Sequence, residues 1–218
     1  TTPRGRYRID MFAECLRLHG KSHDFKIDYS TIKRLFLLPK TDDAHLLIVM
    51  AIDPPLRQGQ TRYPYLIMQF PKEERIESLA LQNLDLSQYE GKLQAQYSDI
   101  CTFELVSALL RGLAGQKIVV PGAFKSVHSS NPALKCSIKA NEGALYILEK
   151  NFLFLPKPVL LIPHVEVEKC VFSRVGASFG NPRSFDLKIQ LRSQEAEHVF
   201  SNIRSEEHTS ELQSHSDL

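Results

Sequence analysis

Apolar residues recur with a helical spacing in only one segment of this chain, between two sets of strand-like runs, and that pattern restricts the folds it can adopt. Up to residue 82 the apolar residues come in short runs rich in Leu, Ile, Val and aromatics, as in β-strands. In Asp99–Leu113 they recur every three or four positions, which predicts one amphipathic helix. Strand-like runs then resume. The pattern predicts a mainly β chain with some α structure, an α+β class, in two successive units.

Seven strands are predicted before the helix, the last of them the least regular. They are Arg6–Phe12, Cys15–His19, Asp24–Asp28, Ile32–Leu38, Leu46–Asp53, Tyr63–Phe70 and Arg75–Leu81. The helical stripe consists of Ile100, Phe103, Val106, Leu110 and Leu113. Ser98 or Asp99 is the expected N-cap, and Gly115 the expected C-cap.

Lys117–Val120 is expected to lead into a second set of seven strands. These are Leu134–Ala140, Ala144–Glu149, Phe152–Leu155, Val159–Ile162, Val165–Ser173, Ser184–Leu191 and Glu197–Ser201. Asn141-Glu142-Gly143 and Gly180-Asn181-Pro182 are predicted turns. Unlike the first set, the second is not followed by an apolar helical stripe.

Seven strands in two orthogonal sheets, closed at one end by a helix, are the organisation of a pleckstrin-homology domain, and the length suits two of them. We therefore predict one such domain at residues 1–115 and a second at 116–203 that lacks its C-terminal helix and is only marginally stable. Arg204–Ser214 can be back-translated into a sequence resembling a common DNA-sequencing adapter. The tail 204–218 is accordingly predicted to be non-native and is excluded from the argument.

The composition argues against several functional classes. The formal net charge is only +2, so the chain is not a strongly basic nucleic-acid binder, although residues 116–203 carry a local net charge of +4. The four cysteines are far apart, which disfavours a zinc site and suits a reducing compartment. No apolar run approaches the length of a transmembrane helix, and no membrane association is expected.

Two groups of residues are candidates for partner contacts. The segment Ala51–Phe70 is expected to hold an ordered, exposed basic loop between rigid prolines; its candidate partner-binding residues are Arg57, Gln58, Gln60, Arg62 and Tyr63. In the second unit, basic residues could gather on one face: Lys139, Lys150, Lys157, Arg174 and Arg183. Any DNA binding by these few cations is expected to be weak and non-specific.

Catalysis is not expected. The sequence contains no nucleophile–base arrangement, phosphate-binding glycine loop or metal-ligand cluster, and no cofactor is predicted. The alternative function is a pleckstrin-homology adaptor for peptides or phosphoinositides. Phosphoinositide binding needs several cations between the first two strands of a unit. The predicted links, Phe12-Ala13-Glu14 and Ala140-Asn141-Glu142-Gly143, contain none.

Several segments together resemble a known family. They are Leu16–Lys40, Ala51–Phe70, Lys117–Ser126, Lys135–Pro158 and Arg183–Ser193, and the most specific is the run from Asp53 to Pro64, DPPLRQGQTRYP. They resemble the middle domain of the structure-specific recognition protein, the smaller subunit of the FACT histone chaperone. The resemblance covers nearly all of residues 1–203.

The resemblance implies tandem pleckstrin-homology domains in a nuclear, chromatin-associated protein without enzymatic activity. It implies a histone-binding module that acts in nucleosome disassembly and reassembly during transcription, replication and repair. The implied partners are core histones, replication factors and the large FACT subunit, which joins chiefly through a domain absent from this sequence.

Overall fold

The computed structural model describes residues 2–82, 84–89, 91–127, 129–174, 184–193 and 197–204. The chain divides into two compact units, Thr1–Val120 and Pro121–Leu218. The division falls five residues after the predicted one, because Ile118–Val119 pairs in parallel with a strand of the first unit. Lys117–Val120 therefore extends the first unit instead of opening the second.

The described part of the first unit contains nine strands, one α-helix and two short 3-10 helices, Tyr29–Thr31 and Leu86–Tyr89. The strands and the α-helix are β1 Tyr7–Met11, β2 Cys15–Gly20, β3 Asp24–Asp28, β4 Ile32–Pro39, β5 His45–Gln58, β6 Thr61–Pro71, β7 Arg75–Ala80, β8 Gln96–Cys101, α1 Thr102–Ala114 and β9 Ile118–Val119. The sheets are β1-β2-β3, β6-β5-β4-β9 and β7-β8. All seven predicted strands are confirmed, including the irregular seventh, which is β7.

The helix begins three residues later than predicted. Asp99 and Ile100 belong to β8, a strand that the sequence did not reveal, and the N-cap is Cys101. The reason is tertiary: Ile100 pairs with Ile76 of β7, and the Arg75 guanidinium donates to the Asp99 carboxylate at 2.7 Å. The C-cap prediction is confirmed, since Gly115 adopts a left-handed conformation with φ of 65°.

Two faces of α1 are buried in different clusters. Val106 and Leu110 pack into the main core of the unit, with Phe103 and Leu113 at its margin, as the predicted stripe requires. The neighbouring face, with Leu105 and Leu109, packs instead on the small β7-β8 sheet and its connection. The helix therefore closes the main core and also holds the two-stranded sheet in place.

The described part of the second unit contains seven strands that form one continuous sheet. They are β10 Ala133–Ile138, β11 Asn141–Ile147, β12 Asn151–Leu155, β13 Leu160–Pro163, β14 Val167–Ser173, β15 Ser184–Leu191 and β16 Glu197–Arg204. Their order is β13-β12-β11-β10-β16-β15-β14. The first strand of the unit therefore pairs with the last, and all seven predicted strands are confirmed.

One predicted turn of this unit is wrong. Asn141-Glu142-Gly143 begins β11, and the chain reverses at Lys139 and Ala140 because Ile138 pairs with Asn141. Lys139 takes the left-handed conformation, with φ of 54°, that glycine or asparagine would normally supply. Gly143 suggested a turn at 141–143, but this glycine is needed for close packing between strands, as described below.

The core of the second unit follows strand alternation. Phe185, Leu187 and Ile189 of β15 point inward and are essentially inaccessible, while the residues between them are more exposed. They pack with Phe154 of β12 and Phe200 of β16, whose rings lie 5.9 Å apart. The predicted turn at 180–182, the missing closing helix and the tail 205–218 lie outside the described residues.

Gly143 provides a test of packing in the second unit. A Cβ atom at this position would lie 2.2 Å from the Leu155 carbonyl oxygen and 2.5 Å from the Phe154 ring. We expect Gly143→Ala to lower the free energy of unfolding by about 1–3 kcal/mol, because the β11–β12 pair must move apart. Amide hydrogen exchange in β11 and β12 measures the effect.

Gly122→Ala is the matched control for this test. Gly122 lies in the same unit, and a Cβ atom there would meet nothing within 4 Å. Equal exchange rates in the two variants would contradict the packing argument.

Candidate partner-binding surface

The predicted basic loop is the tip of a long β-hairpin. β5 and β6 pair from His45 and Pro71 at the base up to Gln58 and Thr61. Only Gly59 and Gln60 form the turn, so most of the residues predicted to form a loop belong to the two strands. The prediction of an ordered and exposed connection agrees with this geometry, but the prediction of a loop over Arg57–Arg62 is wrong.

Pro54 and Pro55 do not end β5, although the sequence suggested it. They lie in a bulge between the Ala51–Tyr65 and Leu56–Tyr63 pairs, where the two strands temporarily leave register. Proline lacks the N–H group that a regular ladder needs, so a bulge is where a strand tolerates it. Pairing resumes after the bulge and continues to Gln58 and Thr61 at the tip of the hairpin.

The turn itself depends on Gly59. Its φ is 59°, whereas Gln60 has no positive φ, which is the pattern of a two-residue type II′ turn. This turn puts Arg57 directly opposite Arg62, and Leu56 directly opposite Tyr63. Both arginines are exposed, and neither forms an ion pair with another residue that the structure describes.

Two like charges on facing strand positions oppose hairpin formation, so this pair costs stability instead of adding to it. The other side of the tip is partly buried. There Tyr63 lies close enough to Tyr7 that, in addition to the larger effect of burial, it raises the pKa of the Tyr7 phenol. Tyr7 was not among the predicted residues because nothing local in the sequence relates it to Tyr63. The arginine pair remains the polar, solvent-facing part of the tip.

The structure does not bring the predicted basic face of the second unit together. Lys139 lies in the β10–β11 turn and Lys157 in the β12–β13 connection, which is at the same end of the antiparallel sheet. Lys150 lies in the β11–β12 turn at the opposite end. All three side chains are exposed.

Arg174 already has an intramolecular role. It follows β14 and donates to the carboxylate of Asp186 at 2.5 Å, and the Asn202 backbone N–H donates to the same oxygen at 3.2 Å. Burial raises the pKa of Asp186, but these hydrogen bonds outweigh it and the net pKa lies below the ordinary value. Arg183 lies outside the described residues.

The described residues contain no group of three or more His, Cys, Asp and Glu side chains placed to hold a metal ion. All four cysteines are free thiols. Within the same residues, no helix is both long and apolar enough to cross a membrane.

Comparison with known families agrees with this organisation. The family model described as the SSRP1 PH domain matches residues 1–118. The chain belongs to this family. A second family model, described as the histone chaperone Rttp106-like middle domain, matches residues 132–213. The resemblance drawn from the sequence motifs and the prediction of pleckstrin-homology-like domains are both confirmed, and the family is not one of enzymes.

Individual relatives align with nearly the whole chain. FACT complex subunit pob3 of Schizosaccharomyces pombe is 50% identical over 204 residues, 93% of this chain. FACT complex subunit POB3 of Candida albicans is 48% identical over 208 residues, 94% of this chain. The chain spans 39% and 38% of the length of these two relatives.

The arginine pair can be tested by charge reversal. Arg57→Glu places a carboxylate opposite Arg62, so we expect the hairpin to gain about 0.2–1 kcal/mol of stability at low salt. Arg57→Glu combined with Arg62→Glu restores like charges and should return the stability to that of the unsubstituted protein. Urea unfolding at low and high salt measures both, since screening should remove the gain. A gain of the same size in the double variant would contradict the cross-strand explanation.

Proposed function

We propose that this chain is a histone-binding module of a FACT chromatin-reorganising complex. The observation that carries the proposal is the two-part match of this chain, first to a SSRP1 PH domain and then to a histone-chaperone middle domain. Its similarity to proteins named FACT complex subunits supports the same proposal. Under this proposal the chain takes part in nucleosome disassembly and reassembly during transcription, replication and repair. Its location is then the nucleus, on chromatin.

The charge distribution suits a protein that contacts a histone–DNA assembly at several weak points. With a net charge of only +2, the chain neither repels basic histones strongly nor attracts DNA strongly. The arginine pair at the tip of the β5–β6 hairpin offers two planar guanidinium groups on one face. Such groups bind carboxylates or phosphates in a bidentate way, so we propose this tip as one contact with the assembly.

The partners in this proposal are core histones and the large FACT subunit, with replication factors as a further set. Binding of phosphoinositides by either unit has less support. The β1–β2 connection of the first unit, Phe12-Ala13-Glu14, contains no cation, whereas the β10–β11 turn of the second contains Lys139, contrary to the predicted turn. Lys139 in this turn and Lys157 in the β12–β13 connection are only two cations, fewer than several phosphates require.

The proposal is tested by titrating the protein with core histones and, separately, with phosphoinositide-containing vesicles near physiological salt. We expect saturable histone binding and no specific vesicle binding. The reverse result would favour the adaptor function, and binding to neither would remove the support for a histone-binding module.

The role of the hairpin tip is tested with a reconstituted histone–DNA complex. Arg57→Glu combined with Arg62→Glu should weaken binding and reduce the slope of log affinity against log salt, by roughly one for each lost phosphate contact. Lys72→Glu is a suitable control because it changes an exposed charge at the base of the same hairpin, next to Pro71. Unchanged affinity in the double arginine variant, or an equal loss in the control, would exclude the tip as a specific contact.

A further inference from the structure

We propose that the first unit binds an extended peptide with apolar and acidic residues, in a groove that follows the free edge of β1. Two adjoining cavities of about 660 and 650 Å³ form this groove. Ile9, Phe70 and Thr102 line both cavities, so the groove is continuous along β1. Each volume lies within the range of about 300–1,000 Å³ that is usual for ligand sites.

The length and walls of the groove suit a strand-like ligand. On one side it follows β1 from Tyr7 to Phe12, a distance of roughly 17 Å at the rise of a β-strand. On the other side are the end of β6, near Gln69, and then β7. An extended peptide of about five residues would span the groove.

The backbone of β1 has hydrogen-bonding groups available along this edge. Among the described residues, β1 pairs only with β2 and is the outer strand of its sheet. The Phe12 N–H donates to the Cys15 carbonyl oxygen, and bonded pairs alternate along an antiparallel ladder. The backbone groups of Ile9 and Met11 therefore point away from β2, where an added strand can bind them.

The chain itself shows that the groove accepts backbone from another segment. At the β6 side, the Thr2 N–H donates to the Ile67 carbonyl oxygen at 2.9 Å, and the Ile67 N–H donates back at 3.0 Å. This single antiparallel bridge is the only one that joins Thr2 to the sheet among the described residues. An extended segment already uses one free edge at the groove, which supports a peptide strand as the occupant.

The second cavity supplies an apolar pocket for a side chain of that peptide. Met11 of β1, Leu79 of β7 and Leu105 and Leu109 of α1 line it. Thr102 lines both cavities, and its buried hydroxyl oxygen has no hydrogen-bond partner among the described residues. A large apolar side chain would fill this pocket.

Charge at the rim specifies the second property of the ligand. Phe12 lines the apolar cavity and is 50% exposed, so its ring is accessible to a ligand in the groove. The Arg17 guanidinium lies over its ring, 5.4 Å from the centroid. A carboxylate on the peptide beside the apolar anchor would meet this cation, so we infer an acidic residue next to the anchor. Glu74 lines the first cavity, so the cationic end of the groove is the one at Phe12, and the acidic residue of the peptide is expected there. The proposal does not depend on histone binding.

The experiment selects a ligand from a phage-displayed library of random peptides of about twelve residues and measures its affinity as a synthetic peptide. We expect enriched sequences with a large apolar residue and a nearby Asp or Glu. Arg17→Glu should weaken the best peptide roughly tenfold, and replacing the acidic residue of the peptide with Lys should restore binding to that variant. Arg57→Glu combined with Arg62→Glu is the matched control and should bind the peptide normally.

Amide hydrogen exchange on the unsubstituted protein locates the bound peptide without relying on a variant. Slower exchange at Ile9 and Met11 when the peptide binds is the result expected for an added strand. The proposal is overturned if no sequence is enriched, if exchange slows elsewhere but not at these two amides, or if Arg17→Glu leaves the affinity unchanged. Loss of peptide binding in the arginine-pair control would instead place the peptide on the hairpin.

Discussion

The first unit depends on one helix that packs in two directions. Val106 and Leu110 of α1 close the main core, while Leu105 and Leu109 hold the β7-β8 sheet. A buried side chain of this kind contributes about 1.5–3 kcal/mol, which is large against the roughly 5–15 kcal/mol that stabilise a whole domain. A two-stranded sheet is not stable alone, so it exists here because the helix covers it. The apolar cavity beside β1 also lies against this helix.

The candidate binding features lie where regular pairing is incomplete. In the hairpin, the bulge at Pro54 and Pro55 interrupts the ladder. The strands then pair again up to the turn, and Arg57 and Arg62 face each other beside it. Along β1, the ladder has a partner on one side only. Both places retain polar or apolar groups that the fold does not use. A domain without catalytic machinery can recognise partners through such places, because binding requires exposed groups held in fixed geometry.

Charged residues in the second unit show why composition alone does not define a surface. The sequence suggested a cluster because the second unit has a net positive charge, but Lys139 and Lys157 lie at one end of the sheet and Lys150 at the other. Arg174 is held by Asp186. A unit can therefore have an excess of positive charge without forming a basic surface, because its cations lie apart and one of them, Arg174, stabilises the fold.

The sequence by itself determined the strands, the helical stripe and the family, because these follow from local periodicity and from motifs such as the one at Asp53–Pro64. It placed Asp99 and Ile100 in the helix because β8 forms only through pairing with distant β7. It read Gly143 as a turn residue because the neighbouring strand that excludes a side chain there is not visible locally. Tertiary structure alone decided that Arg57 faces Arg62 and that the edge of β1 stays open, since both depend on strand register and on which strands become neighbours.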